Sequence, residues 1–138
     1  MFNVLSDISW LSIVVAFVPY FLLGALWFML LFSKQYNVSL GRENEIPQKP
    51  APIFIIGPAL CCMIITIASA ILIHVLKIDS YENAFVFAAI TGLGYLFANT
   101  VNIAINPNIP RPLLYGIISG AYHLVGILIV CMILVAMK

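Results

Sequence analysis

The sequence predicts an all-α integral membrane protein, with four transmembrane helices in an up-down antiparallel bundle that forms a single domain over residues 1–138. Two observations carry this. The chain is 64% hydrophobic and 8% charged, where a soluble domain carries roughly 25% charge. The charges are also segregated. No Asp, Glu, Lys or Arg occurs between Asp7 and Lys34, Lys49 and Lys77, Glu82 and Arg111, or Arg111 and Lys138, gaps of 26 to 28 residues. A bilayer crossing needs about 20 apolar residues. A soluble helical core of this composition would have too little polar surface to face water.

The first helix is expected at about residues 8–32, capped by Ser6 or Asp7. Pro19 lies inside it and predicts a kink, because its ring displaces the carbonyl of Val15 and offers no N–H. Tyr20, Gly24 and Trp27 share one face, and Gly24 permits close packing. Ser33–Pro50 is a polar loop, too short for a domain, with Pro47 and Pro50 at its end. The second helix is placed at about residues 52–76, with Gly57-Pro58 disturbing its first turns. Cys62, Thr66 and Ser69 form a weakly polar line along it, of the kind whose hydroxyls return to the backbone. The third helix runs from about 83 to 105, with small residues at Ala84, Ala88 and Gly92. The fourth runs from about 112 to 137 and contains Gly116-x-x-x-Gly120.

Two polar stripes stand out. Thr91, Tyr95, Asn99, Asn102 and Asn106 follow at steps of four, four, three and four on the third helix, which confines them to roughly an 80° arc of an α-helix. Tyr115, Ser119, Tyr122, His123 and Gly126 make a second stripe on the fourth. The connecting turn, Asn106 to Pro112, is short, so the two helices are expected to be antiparallel neighbours. Aligning them pairs Tyr95 with His123 and Asn99 with Ser119, and sets Asn102 near Tyr115. Such a seam either fixes helix register through hydrogen bonds or lines a path for an ion or small polar solute. Arg111 closes the turn, where it can bind helix-end carbonyls, a lipid phosphate or Asn106, or snorkel to the interface.

Other chemistries find little support. Net charge is +1 with no basic patch, so nucleic acid is not an expected partner. His74 and His123 fall at depths differing by roughly 18 Å on these helices, too far to share a metal ion within one chain. Haem attachment motifs, carboxylate pairs and phosphate loops do not occur. No cofactor is expected, and an enzyme is disfavoured. Cys61, Cys62 and Cys131 read as small apolar residues rather than a disulfide framework.

Four spans place both termini on one side. Lys34, Arg42, Lys49 and Arg111 on the loop side outnumber Lys77 and Lys138, which favours cytoplasmic loops and external termini. Gly24-Ala-Leu-Trp27, Leu31-Phe-Ser-Lys34, Pro107 to Pro112 and Gly120-Ala-Tyr-His123 together resemble the bacterial four-span membrane proteins of domain of unknown function 1761. That resemblance implies a bacterial cytoplasmic membrane protein and carries no activity with it. The stretch Trp27 to Tyr36 departs from the family's usual first-helix motif by lacking its Pro, Gly and second Trp. The expected function is a small homo-oligomeric channel or carrier in the lipid bilayer, with a polar seam between helices three and four. The alternative is a non-transporting scaffold or accessory subunit, in which the seam only fixes packing. A more remote one is a haem-binding or small-ligand redox protein.

Overall fold

The computed structural model describes residues 4–45 and 51–138. Pro47, Lys49 and Pro50 of the first loop lie outside the described residues. Four helices, Trp10–Leu31, Ile53–Val75, Tyr81–Ala104 and Pro112–Ala136, are each long and apolar enough to cross a bilayer. These are the first to fourth spans below, and no strand occurs among the described residues. They sit within two residues of the expected bounds, and the differences have local causes. Neither Ser6 nor Asp7 caps the first span. Ser9 does, accepting from the Ser12 N–H, and a separate turn of helix, Val4–Asp7, precedes it. Ser80 caps the third span through the Asn83 N–H and starts it two residues early. The loop after the first span opens with a short helix, Ser33–Ser39.

The second span ends in a Schellman motif: the Ile78 N–H reaches the Ile73 carbonyl and the Lys77 N–H that of His74. Ile73 and Ile78 are both buried beside it. Glycine is the usual residue at the left-handed position, yet here Lys77 holds it at φ 53°, at a cost of about 1 kcal/mol.

The two ends of the molecule confirm the up-down course. Glu43 and Ser39 meet Arg111 at one end, and Asp79 meets Lys138 at the other. Gly41, at φ 69°, packs on Pro110 there and lets the first loop turn back over the second.

The fourth span is the hub. Half of its most apolar window is buried, against 17–22% for each of the others. The first, second and fourth spans form a three-helix core around Ile13, Ala16, Tyr20, Cys62, Ile73, Ile127 and Val130. The third span leans on the opposite side of the fourth and has no other extensive contact among the described residues. Its packing face reads Ala84, Ala88, Gly92, Phe97, Val101, Ala104. The five-residue step from Gly92 to Phe97 is a π-helical turn. A second π-turn, Trp27–Leu31, closes the first span through the Phe32 N–H to the Trp27 carbonyl.

Small residues make these contacts possible. A Cβ on Gly116 would meet Val101 and Ala104, and one on Gly120 would meet the Phe97 ring at 2.6 Å. Gly92 faces Leu124 and Ile127 in the same way. The small-residue faces of the third and fourth spans are thus consumed within one chain, and they are not free for association between chains.

Candidate functional site

The fourth-span stripe is coherent, but it faces the first and second spans rather than the third. Tyr20 is fully buried, and its hydroxyl lies 2.6 Å from His123 Nδ1. The tautomer of His123 decides which of the two donates. Tyr122 donates to the Tyr20 carbonyl at 3.3 Å, and its oxygen lies 3.2 Å from Cys62 Sγ. A chain of Cys62, Tyr122, Tyr20 and His123 therefore ties three spans together at mid-membrane depth. Cys62, expected as apolar filler, is one of its members.

Close approach sets this chain up. Gly126 leaves room for the Tyr20 ring, and Gly24 lies against the Tyr122 hydroxyl. Trp27, brought round at the start of its π-turn, donates its indole N–H to the Ile118 carbonyl at 3.0 Å. Phe28 packs on Tyr122 and Tyr36, and Tyr36 stacks on Tyr115 at 5.6 Å. This aromatic series runs from the loop end into the core. Tyr36 lies outside the spans, and burial pushes its phenol up to about 12, with Tyr115 adding to the shift. Thr66 and Ser69 return their hydroxyls to the carbonyls of Cys62 and Ile65, as expected for the second-span line. Ser119 is buried, and its hydroxyl has no hydrogen-bond partner among the described residues.

The expected pairing of Tyr95 with His123 and of Asn99 with Ser119 is not formed. Tyr95 is 70% exposed, and Asn99 and Asn102 are exposed beside it. The cause is the π-turn at Gly92–Phe97. It takes in one extra residue, which rotates everything after it by about 100° relative to an unbroken α-helix. Without it, Tyr95, Asn99 and Asn102 would share the face of Ala84, Ala88 and Gly92 and meet the fourth span. With it, Phe97 and Val101 take their place. The ends of the stripe are satisfied locally. Thr91 donates to the Phe87 carbonyl, and Asn106 donates to the Ile103 carbonyl and accepts from the Asn108 N–H.

Gly94, Tyr95, Leu96, Ala98, Asn99 and Asn102 line a shallow outward groove on the third span. A Cβ on Gly94 would meet nothing within 4 Å. Arg111 pairs with Glu43 at 2.9 Å and donates its backbone N–H to the Ser39 carbonyl. It thus joins the two loops, a role not among those its sequence context suggested. Both side chains are solvated, so the pair contributes at most about 1 kcal/mol. Among the described residues, no group of three or more His, Cys, Asp or Glu is placed to hold a metal ion.

Three apolar spans packed on a central fourth, with a bonded Tyr–His–Cys core, define a small multi-pass helical membrane protein. The chain belongs to the family of proteins of unknown function DUF1761, whose family model matches residues 11–135. No curated protein and no solved structure matched it.

Proposed function

We propose that the protein works as a homo-oligomeric channel or carrier for an ion or small polar solute, with its polar lining supplied by the outward face of the third span. One observation carries this reading: Tyr95, Asn99 and Asn102 lie exposed on one face of a membrane-spanning helix. A side-chain amide in hydrocarbon lacks partners, and leaving it so costs on the order of 1–3 kcal/mol. Asparagine both donates and accepts, so two copies of this face satisfy each other, or jointly hold a polar solute. Gly94 and Ala98 beside the stripe let a second helix approach closely. From the Ala104 end, Asn99 lies roughly 7 Å and Tyr95 roughly 13 Å inward along the helix axis. The groove is therefore a vestibule from the loop side toward the membrane centre. The excess of Lys and Arg in the loops supports a mouth on the cytoplasmic side of the inner membrane, with both termini outside.

A second reading, a non-transporting scaffold or accessory subunit, draws on the fourth-span stripe, whose Tyr122 and His123 are bonded within the core. Flux into liposomes separates the two. The proposed conduit requires uptake of a small polar solute or ion by the reconstituted protein. Replacing Asn99 and Asn102 together by Ala should abolish that uptake without changing the helix content or melting temperature. If instead the double variant loses its oligomeric state and the parent carries no flux, the scaffold reading holds.

A further inference from the structure

At the end of the molecule opposite the polar groove, the entrance of the first span, the close of the second and the close of the fourth enclose a cavity of about 510 Å³. That size suits a small ligand or a lipid headgroup. Its floor is apolar, with Ile73 and Leu134 buried there, while Asp7, His74, Lys77 and Asp79 stand in its walls. Lys138 is committed, donating to Asp79 at 2.6 Å and to the Ile78 carbonyl at 2.9 Å. This internal pair leaves three groups. His74 and Lys77 make no side-chain hydrogen bond or ion pair among the described residues, and Asp7 accepts only from the neighbouring Ser6 hydroxyl. The terminal carbonyls of Ile73 and His74 are occupied by backbone N–H groups. The side chains, and not the bare helix end, therefore face an entering group.

We propose that this cavity binds a zwitterionic amphiphile carrying a primary ammonium and a phosphate, of the phosphoethanolamine type. Lys77 and His74 would hold the phosphate as donors, Asp7 would accept from the ammonium, and the apolar floor would take the first methylenes of the chain. The charges fit this class. With Asp79 and Lys138 neutralising each other, the remaining wall pairs one cation and one hydrogen-bonding imidazole against one carboxylate, the pattern of a dipolar head. A choline head fits poorly, because its quaternary ammonium has no N–H to donate to Asp7. The backbone adds a second pointer: a lysine stands where a Schellman turn favours glycine, and that lysine lines the cavity.

That position also supplies the test. Lys77→Gly removes the ammonium while relieving a left-handed φ, so a binding loss in this variant is not a folding loss. The full chain is extracted from vesicles of equal phosphatidylethanolamine, phosphatidylcholine and phosphatidylglycerol, and the retained lipid is counted by native mass spectrometry. The expected result is preferential retention of phosphatidylethanolamine, about tenfold weaker in Lys77→Gly and in Asp7→Asn, with the melting temperature of Lys77→Gly equal to or above that of the parent. Competition by soluble glycerophosphoethanolamine assigns recognition to the head alone. Retention without such competition assigns it to head and chain together. Equal retention of the three lipids, or parent-like retention by Lys77→Gly, overturns the proposal.

Discussion

Removing one residue from the third span should leave the fold intact, whereas removing one from the fourth should destroy it. Gly94 and Ile117 are both exposed, lipid-facing positions in long apolar helices. They differ in what surrounds them. Deleting Gly94 shortens the step from Gly92 to Phe97 from five residues to four and converts the π-turn at Gly92–Phe97 into ordinary α-helix. Ala84, Ala88 and Gly92 above and Phe97, Val101 and Ala104 below then stay on the fourth span. No contact is lost at the deleted residue, since a Cβ there would touch nothing within 4 Å. The expected change in stability is within about 1 kcal/mol of the parent. The fourth span is α-helical throughout, with no such turn to absorb a deletion. Losing Ile117 rotates everything beyond it by about 100°. Tyr122 and His123 leave Cys62 and Tyr20, which forfeits three hydrogen bonds of about 0.6 kcal/mol each. Bulk then replaces the close approaches at Gly120 and Gly126, at about 1–3 kcal/mol apiece. Together these exceed roughly 4 kcal/mol, a large part of the stability of a small domain. Thermal unfolding followed by circular dichroism in detergent, with size-exclusion chromatography, reads both variants. A Gly94 deletion that aggregates, or an Ile117 deletion that melts like the parent, would refute the assignment of the π-turn as the register device.

Two further outcomes follow from the packing and the aromatic series. Alanine at the three glycines should rank by available space: Gly126→Ala, whose Cβ collides with the Tyr20 ring, loses about 2–3 kcal/mol, while Gly24→Ala, 3.1 Å from the Tyr122 hydroxyl, loses less and Gly94→Ala almost nothing. The same melting assay checks the order, and equal melting temperatures for Gly126→Ala and Gly94→Ala would contradict it. Burial holds Tyr36 protonated up to about 12, against 10.0 for a free phenol. Its contribution is thus whole below pH 10 and falls away as pH rises from about 10 to about 12. Tyr36→Phe should lose less stability than the parent over that interval, and an identical pH profile for the two would exclude it.

The sequence made the spans legible because charge is expelled from them so completely. Asp7, Lys34, Lys49, Lys77 and Lys138 lie within four residues of span ends, Glu82 falls in the first turn of the third span, and Arg111 directly precedes the fourth. Small residues were legible as close-packing sites, and a Cβ added at Gly116 or Gly120 would crowd the third span, while Ala88 is buried. Their pairing within the chain was not, because a small face has no partner written into it. The fourth-span stripe is visible as a stripe, but the short turn points to the third span as its partner, whereas the first and second spans fill that place. A hydrogen bond such as Tyr20 to His123 joins residues far apart in the chain, and periodicity along one helix carries no information about it. The third-span pairing is absent for a single physical reason. A period of 3.6 residues does not hold across Gly92–Phe97, where the chain takes a wider turn. Gly92 and Gly94 mark that place, yet glycines are common in membrane helices and do not by themselves announce a change of pitch.

The position of the fourth span as hub has a consequence for biogenesis. Protein synthesis delivers the spans one at a time, and the helix that every other span packs against follows the other three in the chain. Until it enters the bilayer, the third span has no surface to dock on, and Tyr20 and Cys62 lack the Tyr122 and His123 that join them. Docking of the third span therefore waits for the fourth, whereas the first and second already pack on each other.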